Sequence, residues 1–156
     1  MEQKPPQENT PVTLREAELK DIPALLEIEK GVAGTNIFSP MLEADEWQEE
    51  LQKGKVFLIE KDNAVIGNLS YVQKDDDHVY ISGLVVSPEF QGQGIARKIL
   101  TGLLEEFKNV QRIDLVTHPD NHRALNLYQS LGFVIESRKE DYYGDGEPRL
   151  VLVLQK

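Results

Sequence analysis

Cysteine is absent from the 156 residues, which excludes a disulfide framework, a thiolate metal site and a cysteine nucleophile. No apolar run approaches the roughly 18 residues that a membrane span needs. The start of the chain, Met1 to Pro11, lacks the apolar core of a signal peptide. Positive charge is scarce: 17 Lys and Arg stand against 27 Asp and Glu, a formal net charge of -10. Such a balance argues against non-specific nucleic-acid binding and mainly serves solubility, while leaving room for a basic partner. The expectation is a cytoplasmic protein that engages neither nucleic acid nor membrane. What is present is 40% hydrophobic residues interspersed with charge, the composition of one globular domain.

Residues 1–11, with three prolines among polar side chains, offer nothing to pack and read as a disordered tail, leaving 12–156 as a single domain. Val12 to Glu16 is a short strand candidate. Asp21 can cap a helix whose second residue, Pro23, still lies in the first turn, where its missing N–H is harmless. Gly31 and Gly34 end that helix, and a loop follows over Thr35 to Phe38. Ser39-Pro40 reads as a cap and first helical residue, so a second helix is expected over Ser39 to Lys53, carrying the most acidic run of the chain, Glu43 to Glu50.

From Lys55 the period becomes extended. Val56 to Glu60, Ala64 to Val72 and His78 to Val86 are expected as an antiparallel run of strands. Ile95, Ile99, Leu100, Leu103 and Phe107 recur at helical spacing, which predicts a helix over Gly94 to Lys108. Arg112 to Thr117 is a strand and Asn121 to Leu131 a helix stopped by Gly132. Phe133 to Lys139 and Arg149 to Leu154 are the last two strands. The order β α α β β β α β α β β implies an α/β (α+β) domain, with a mixed, mostly antiparallel twisted sheet of about seven strands and helices on both faces.

The informative segment is Val85 to Ala96, where a strand ends, a glycine-rich turn follows and a helix begins. That arrangement points unpaired backbone N–H groups at one place, where the helix dipole also favours negative charge, so it is a cradle for an anion such as phosphate. Gly92 and Gly94 have no Cβ to obstruct a ligand, and Arg97 and Lys98 can add positive charge. A dinucleotide fingerprint fails because position 97 is Arg, and a nucleotide P-loop fails because no Gly-Lys-Ser/Thr follows.

The pattern Gln91-Gly92-Gln93-Gly94-Ile95-Ala96, together with Asn121, Ala124, Leu127, Tyr128, Gly132 and Phe133 at their spacing, resembles the GNAT superfamily of acetyl-CoA-dependent N-acetyltransferases. The resemblance runs from Val12 to the end of the chain. It implies that the pyrophosphate of acetyl-CoA lies on Gln91 to Ala96 with Arg97 close by, and that the pantetheine arm pairs with Leu84, Val85 and Val86. That pairing requires the sheet to splay open between His78 to Val86 and Arg112 to Thr117. It further implies that Asn121 reaches the pantetheine amide besides capping its helix, and that Tyr128 is the general acid toward the departing thiolate. Leu127 and Phe133 read as packing residues. No metal is implied.

The base is less defined, because His78 to Val86 contains no carboxylate. If no bulge intervenes, His78, Tyr80, Ser82 and Leu84 share one face. Tyr80 lies where some protein N-terminal acetyltransferases carry a catalytic tyrosine, and His118 and Glu29 are further candidates; Glu29 is assigned to the acceptor side. Asp141-Tyr142-Tyr143 resembles the Tyr-Tyr pair with which ribosomal-protein and other protein N-terminal acetyltransferases contact the peptide start, although Glu147-Pro148-Arg149 replaces the Asp-Ala that often follows. The acceptor expected is thus an amine-bearing peptide, a protein N-terminal α-amine first, or else a small amine such as a polyamine or amino acid. A non-catalytic acetyl-CoA-binding module is the remaining reading. The protein is expected as a monomer or homodimer.

Overall fold

A computed structural model describes residues 11–34 and 38–156; most of the tail expected over 1–11 and of the loop expected over Thr35 to Phe38 lies outside them. Seven strands, β1 (Thr13–Glu16), β2 (Lys55–Lys61), β3 (Ala64–Asp75), β4 (His78–Val86), β5 (Arg112–Thr117), β6 (Val134–Lys139) and β7 (Arg149–Gln155), alternate with four α-helices. The helices are α1 (Ile22–Lys30), α2 (Ala44–Lys53), α3 (Ile95–Glu106) and α4 (His122–Ser130). The strands form one sheet in the order β1-β2-β3-β4-β5-β7-β6. Every neighbouring pair is antiparallel except β4 and β5, because α3 crosses over between those two strands. The expected element order, strand number and mixed sheet are therefore present. Among the described residues no helix is long and apolar enough to cross a membrane.

Each face of the sheet buries its own cluster. Ile81, Leu115 and Leu152 pack with Ile99, Leu100 and Leu103 of α3 and Tyr128 of α4. Val56 and Leu58 pack on the opposite side with Leu25 of α1 and Trp47 of α2. Helical periodicity explains α3: Ile95, Ile99, Leu100 and Leu103 are all buried, one stripe of an amphipathic helix.

Helix α2 departs from expectation. It begins at Ala44 rather than Ser39, since Glu43 and Glu46 form a reciprocal capping box, and the Glu43 N–H donates to Glu46 Oε1 at 3.3 Å. Burying Trp47 at 1% exposure and satisfying its indole N–H with Met41 O at 3.1 Å sets the register. Two orphan N–H groups satisfied by the box outweigh the single Ser-Pro signal. Asp21 also differs: its carboxylate takes hydrogen bonds from Arg15 at 3.1 and 3.2 Å and from the Glu18 N–H at 2.8 Å, so it braces the turn before α1 instead of capping that helix by its side chain.

The layer under α1 and α2 is unexpectedly polar. Glu29, Glu50, Asn68 and Ser70 are all under 6% exposed. Neither polar atom of the Asn68 amide has a partner among the described residues, and Glu29 Oε2 has none either. Burial, opposed by a hydrogen bond from the Met41 backbone, pushes Glu29 up to about 7.

A carboxyl raised from 4.5 to about 7 binds more protons folded than unfolded, so stability falls as pH rises across that window, by on the order of 3 kcal/mol. Glu29→Gln removes that loss. Urea denaturation at pH 5 and pH 8 should show the variant gaining on the wild type as pH rises; parallel curves would count against the raised value.

Candidate active site

The site begins with an irregularity in β4. Opposite β3, the register passes from Ser70–Gly83 to Tyr71–Ile81, leaving Ser82 as one extra residue, a β-bulge. The parallel pairing of β4 with β5 runs from His78–Arg112 to Ile81–Leu115 and goes no further. The sheet therefore splays at the bulge, as the resemblance required, and beyond it β4 has no partner on its β5 side among the described residues. The bulge also corrects the expected alternation. Leu84 pairs with Leu69 and joins Val79, Ile81 and Val86 on the α3 side, while Tyr80 and Ser82 remain toward α1 and α2.

Three adjoining cavities, neighbours sharing lining residues, follow the splay. The outermost, about 370 Å³, is lined by Val86, Gln91, Gly92, Gly94 to Arg97, Arg123 and Leu127. Gly92 and Gly94 have φ of 81° and 78°, left-handed values at which a side chain costs about 1–2 kcal/mol. Between the Gln91 N–H, bonded to Pro88 O, and the Lys98 N–H, bonded to Gly94 O, no backbone N–H of the turn is paired with a carbonyl among the described residues. Gln91 braces the turn by donating from Nε2 to Val86 O at 2.8 Å. Gln93 is not among the lining residues; its Oε1 accepts from the buried Lys61 at 3.5 Å.

The two lining cations are Arg97 and Arg123. Lys98, expected here, lies instead along the groove between α3 and the first three strands, because adjacent helical residues point about 100° apart. Arg123, which donates to Gln91 Oε1 at 3.4 Å, takes its place and went unrecognised in the sequence, where an exposed arginine in the first turn of a helix carries no distinguishing signal.

A second cavity of about 100 Å³ continues inward past Leu84, Val85, Ala96, Asn121 and Tyr128. The third, about 120 Å³, shares Leu84, Asn121 and Tyr128 and adds Ser82, Gly83, Thr117, His118, Tyr143 and Arg149. Asn121 sits at the N-cap of α4 and accepts the Ala124 N–H at 3.2 Å. Tyr128 is 9% exposed beside the fully buried Phe133, their ring centroids 5.8 Å apart. Burial pushes its hydroxyl up to about 12, so it stays protonated at any working pH.

The other candidates separate. Tyr80 does not line the chamber; its hydroxyl is buried beside that of Tyr143, and desolvation first, then the neighbouring Tyr143 and Tyr142, raise it well above the usual phenol range. His118 lines the chamber at 3% exposure with both nitrogens engaged. Nδ1 accepts the Asp120 N–H at 3.0 Å, which leaves the proton on Nε2, 2.8 Å from Glu147 Oε1. With no free lone pair, it is poorly arranged to take a proton. Glu29 is buried beneath the segment containing Met41, away from the lining. Tyr142 stacks edge-on against Tyr143 at 4.8 Å, and both are about half exposed. Arg149, 2% exposed, was overlooked in the sequence as the place of a missing motif. Its guanidinium lies 5.1 Å from the Tyr143 ring centre and pairs with Asp145 at 3.2 Å. Among the described residues no group of three or more His, Asp or Glu is arranged to hold a metal.

Comparison with known proteins agrees with this geometry. Residues 22–133 match the acetyltransferase (GNAT) family. The chain is 27% identical over 149 residues to a putative ribosomal protein bS18-alanine N-acetyltransferase of Bacillus subtilis, covering 92% of this chain and 95% of that one. It is 41% identical over 69 residues to N-alpha-acetyltransferase 30 of Schizosaccharomyces pombe, a match spanning 43% of this chain and 46% of the yeast protein. Among solved structures, the ribosomal-protein-S18-alanine N-acetyltransferase of Escherichia coli superposes with a TM-score of 0.80 at 23% identity, covering 93% and 94% of the two chains, a likeness of fold.

Asn121 allows its two expected roles to be separated. Asn121→Ala should cost about 1 kcal/mol in urea denaturation through the lost cap, whereas Asn121→Asp caps equally well and should restore it. If the amide N–H also holds pantetheine, the Asp variant should have wild-type stability and weakened CoA binding by calorimetry.

Proposed function

The chain belongs to the acetyltransferase (GNAT) family and is an acetyltransferase acting on amines, and from that premise we propose that it acetylates the α-amine of a protein N-terminus by direct attack in a ternary complex, without a covalent enzyme intermediate. The observation that carries this reading is the splay of β4 from β5 at the bulge, along which adjoining cavities with shared walls run from the glycine turn to Tyr128.

The residues fit acetyl-CoA. The unpaired N–H groups of the glycine turn, with Arg97 and Arg123 beside them, suit a pyrophosphate. The free edge of Leu84 to Val86 suits an amide-bearing arm that adds like a strand. Acetyl-CoA supplies a thioester whose carbonyl carbon is open to an uncharged amine. Tyr128 holds its proton in a dry setting and presents a hydrogen-bond donor to the departing sulfur, which a group kept protonated by burial can do and a base cannot. Tyr80, likewise held protonated, supports the reaction through Tyr143 as a donor that positions the acceptor, not as a proton acceptor.

Charge favours the α-amine. Among the described residues that line the inner chamber, Arg149 is the charged side chain and none is a carboxylate. A polyamine would bring additional positive charges toward Arg149, while the carboxylates nearest the wall are already engaged, Glu50 by Ser82 and Glu147 by His118. An α-amine, with an unperturbed pKa of about 7.7–8.0 against about 10.4 for lysine, arrives largely neutral. Tyr142 and Tyr143 stand at the acceptor side on the loop before β7, where a peptide would pass, and the relatives named above are N-alpha and ribosomal-protein alanine acetyltransferases. The absence of a membrane-spanning helix among the described residues suits a cytoplasmic setting.

Tyr128→Phe should lower turnover about 100-fold or more while leaving acetyl-CoA affinity within about threefold, measured by thiol release and calorimetry. Unchanged turnover would remove Tyr128 from the mechanism. In the same assay a tetrapeptide with a free N-terminal alanine should be acetylated in preference to spermidine; the reverse order would overturn the acceptor assignment.

A further inference from the structure

The strand that bears the bulge supplies no carboxylate, and Tyr80, His118 and Tyr128 are each held in a state unsuited to accepting a proton. A carboxylate nevertheless stands one hydrogen bond behind the chamber wall, on the neighbouring helix. Glu50, on α2, is 4% exposed, and its Oε1 accepts a hydrogen bond from Ser82 Oγ at 2.6 Å, within the range of a charge-assisted O–H···O bond. Ser82 is the extra residue of the bulge and lines the same inner chamber as Tyr128. With its proton committed to Glu50, Ser82 receives the Ser70 hydroxyl, 3.0 Å away, on one lone pair and keeps the other for a donor in the chamber. The second oxygen of Glu50 lies 3.6 Å from the half-exposed Lys53, at the solvent edge.

We infer that Ser82 and Glu50 form the proton-accepting relay of the acetyl transfer, Ser82 touching the acceptor amine and Glu50 acting through it. This rests on the inner chamber being the acceptor site, but not on which amine is used. As the N–C bond forms and the C–S bond breaks, the nitrogen gains positive charge and becomes acidic. It passes its proton to Ser82 Oγ while the Ser82 proton moves to Glu50, which releases it to water at the Lys53 edge. The sulfur takes up a proton on the Tyr128 side, so one proton leaves nitrogen and one arrives at sulfur. The bulge thereby has a chemical purpose beyond opening the sheet: it turns a hydroxyl of β4 toward the one buried acid that α2 offers it.

The test is single-turnover acetylation, which isolates chemistry from product release, of an alanine-starting tetrapeptide, or of spermidine if that is the amine accepted. Glu50→Gln keeps an acceptor for the Ser82 hydroxyl and removes only the basicity, so a structural partner would leave the rate intact. The expected result is a fall of about 100-fold in Glu50→Gln and in Ser82→Ala, with no further fall in the double variant, as for residues acting as a unit. Glu50→Asp should recover part of the loss, and acetyl-CoA affinity should stay within about twofold in all four. A wild-type rate in Glu50→Gln, losses that multiply in the double variant, or losses that track acetyl-CoA affinity or thermal stability would each overturn the relay. Acetylation of spermidine but not of peptide, with the relay effects intact, would overturn only the acceptor assignment.

Discussion

One extra residue in β4 organises this molecule. A parallel pair of strands is stable only while its hydrogen bonds stay in register, and the bulge at Ser82 coincides with the end of the β4–β5 ladder at Ile81–Leu115. Past that point β4 turns its inward set from Val79 and Ile81 to Leu84 and Val86, so the apolar face continues into the α3 cluster while the backbone edge is released. Two glycines make the geometry possible. A Cβ at Gly67 would meet the Val85 carbonyl oxygen, and one at Gly83 would lie 2.8 Å from Ser70 Oγ. Channel, chamber and buried acid all sit on the consequences of that local misfit.

Electrostatics is divided between the two ends of the channel. In a chain of net charge -10, the outer cavity is lined by two arginines and no acid among the described residues, beside a helix N-terminus and unpaired N–H groups, an arrangement that selects an anion. The acids are not simply a solvated coat. Glu29 and Glu50 lie under 6% exposed between the helical layer and the sheet. One is pushed by desolvation up to about 7 and the other is bound to a serine at the chamber wall. A surface count of charge would have assigned both to water.

Much of the fold was legible because its signals are local. His78–Val86 and Arg112–Thr117 begin and end where the sequence pattern places them, since proline, turn residues and alternation act within a few positions. The same holds for the glycine turn, whose positive φ at residues 92 and 94 requires glycine, and for Tyr128, whose place on the α4 stripe follows from helical period. Ser39-Pro40 misled because a competing cap four residues on, backed by the burial of Trp47, satisfies more backbone groups.

The sequence by itself determined the order of elements, the glycine turn, the cap at Asn121 and the family, all of which depend on residues close together in the chain or on spacing within one motif. Tertiary structure alone decided which cations face the cradle, since the choice between Lys98 and Arg123 depends on how two helices are rotated about their axes. It alone brought Arg149 and His118 to the chamber and joined Ser82 to Glu50 across 32 positions of sequence. Strand registers and helix rotations are set by the packing of the whole core, and no window of sequence contains that information.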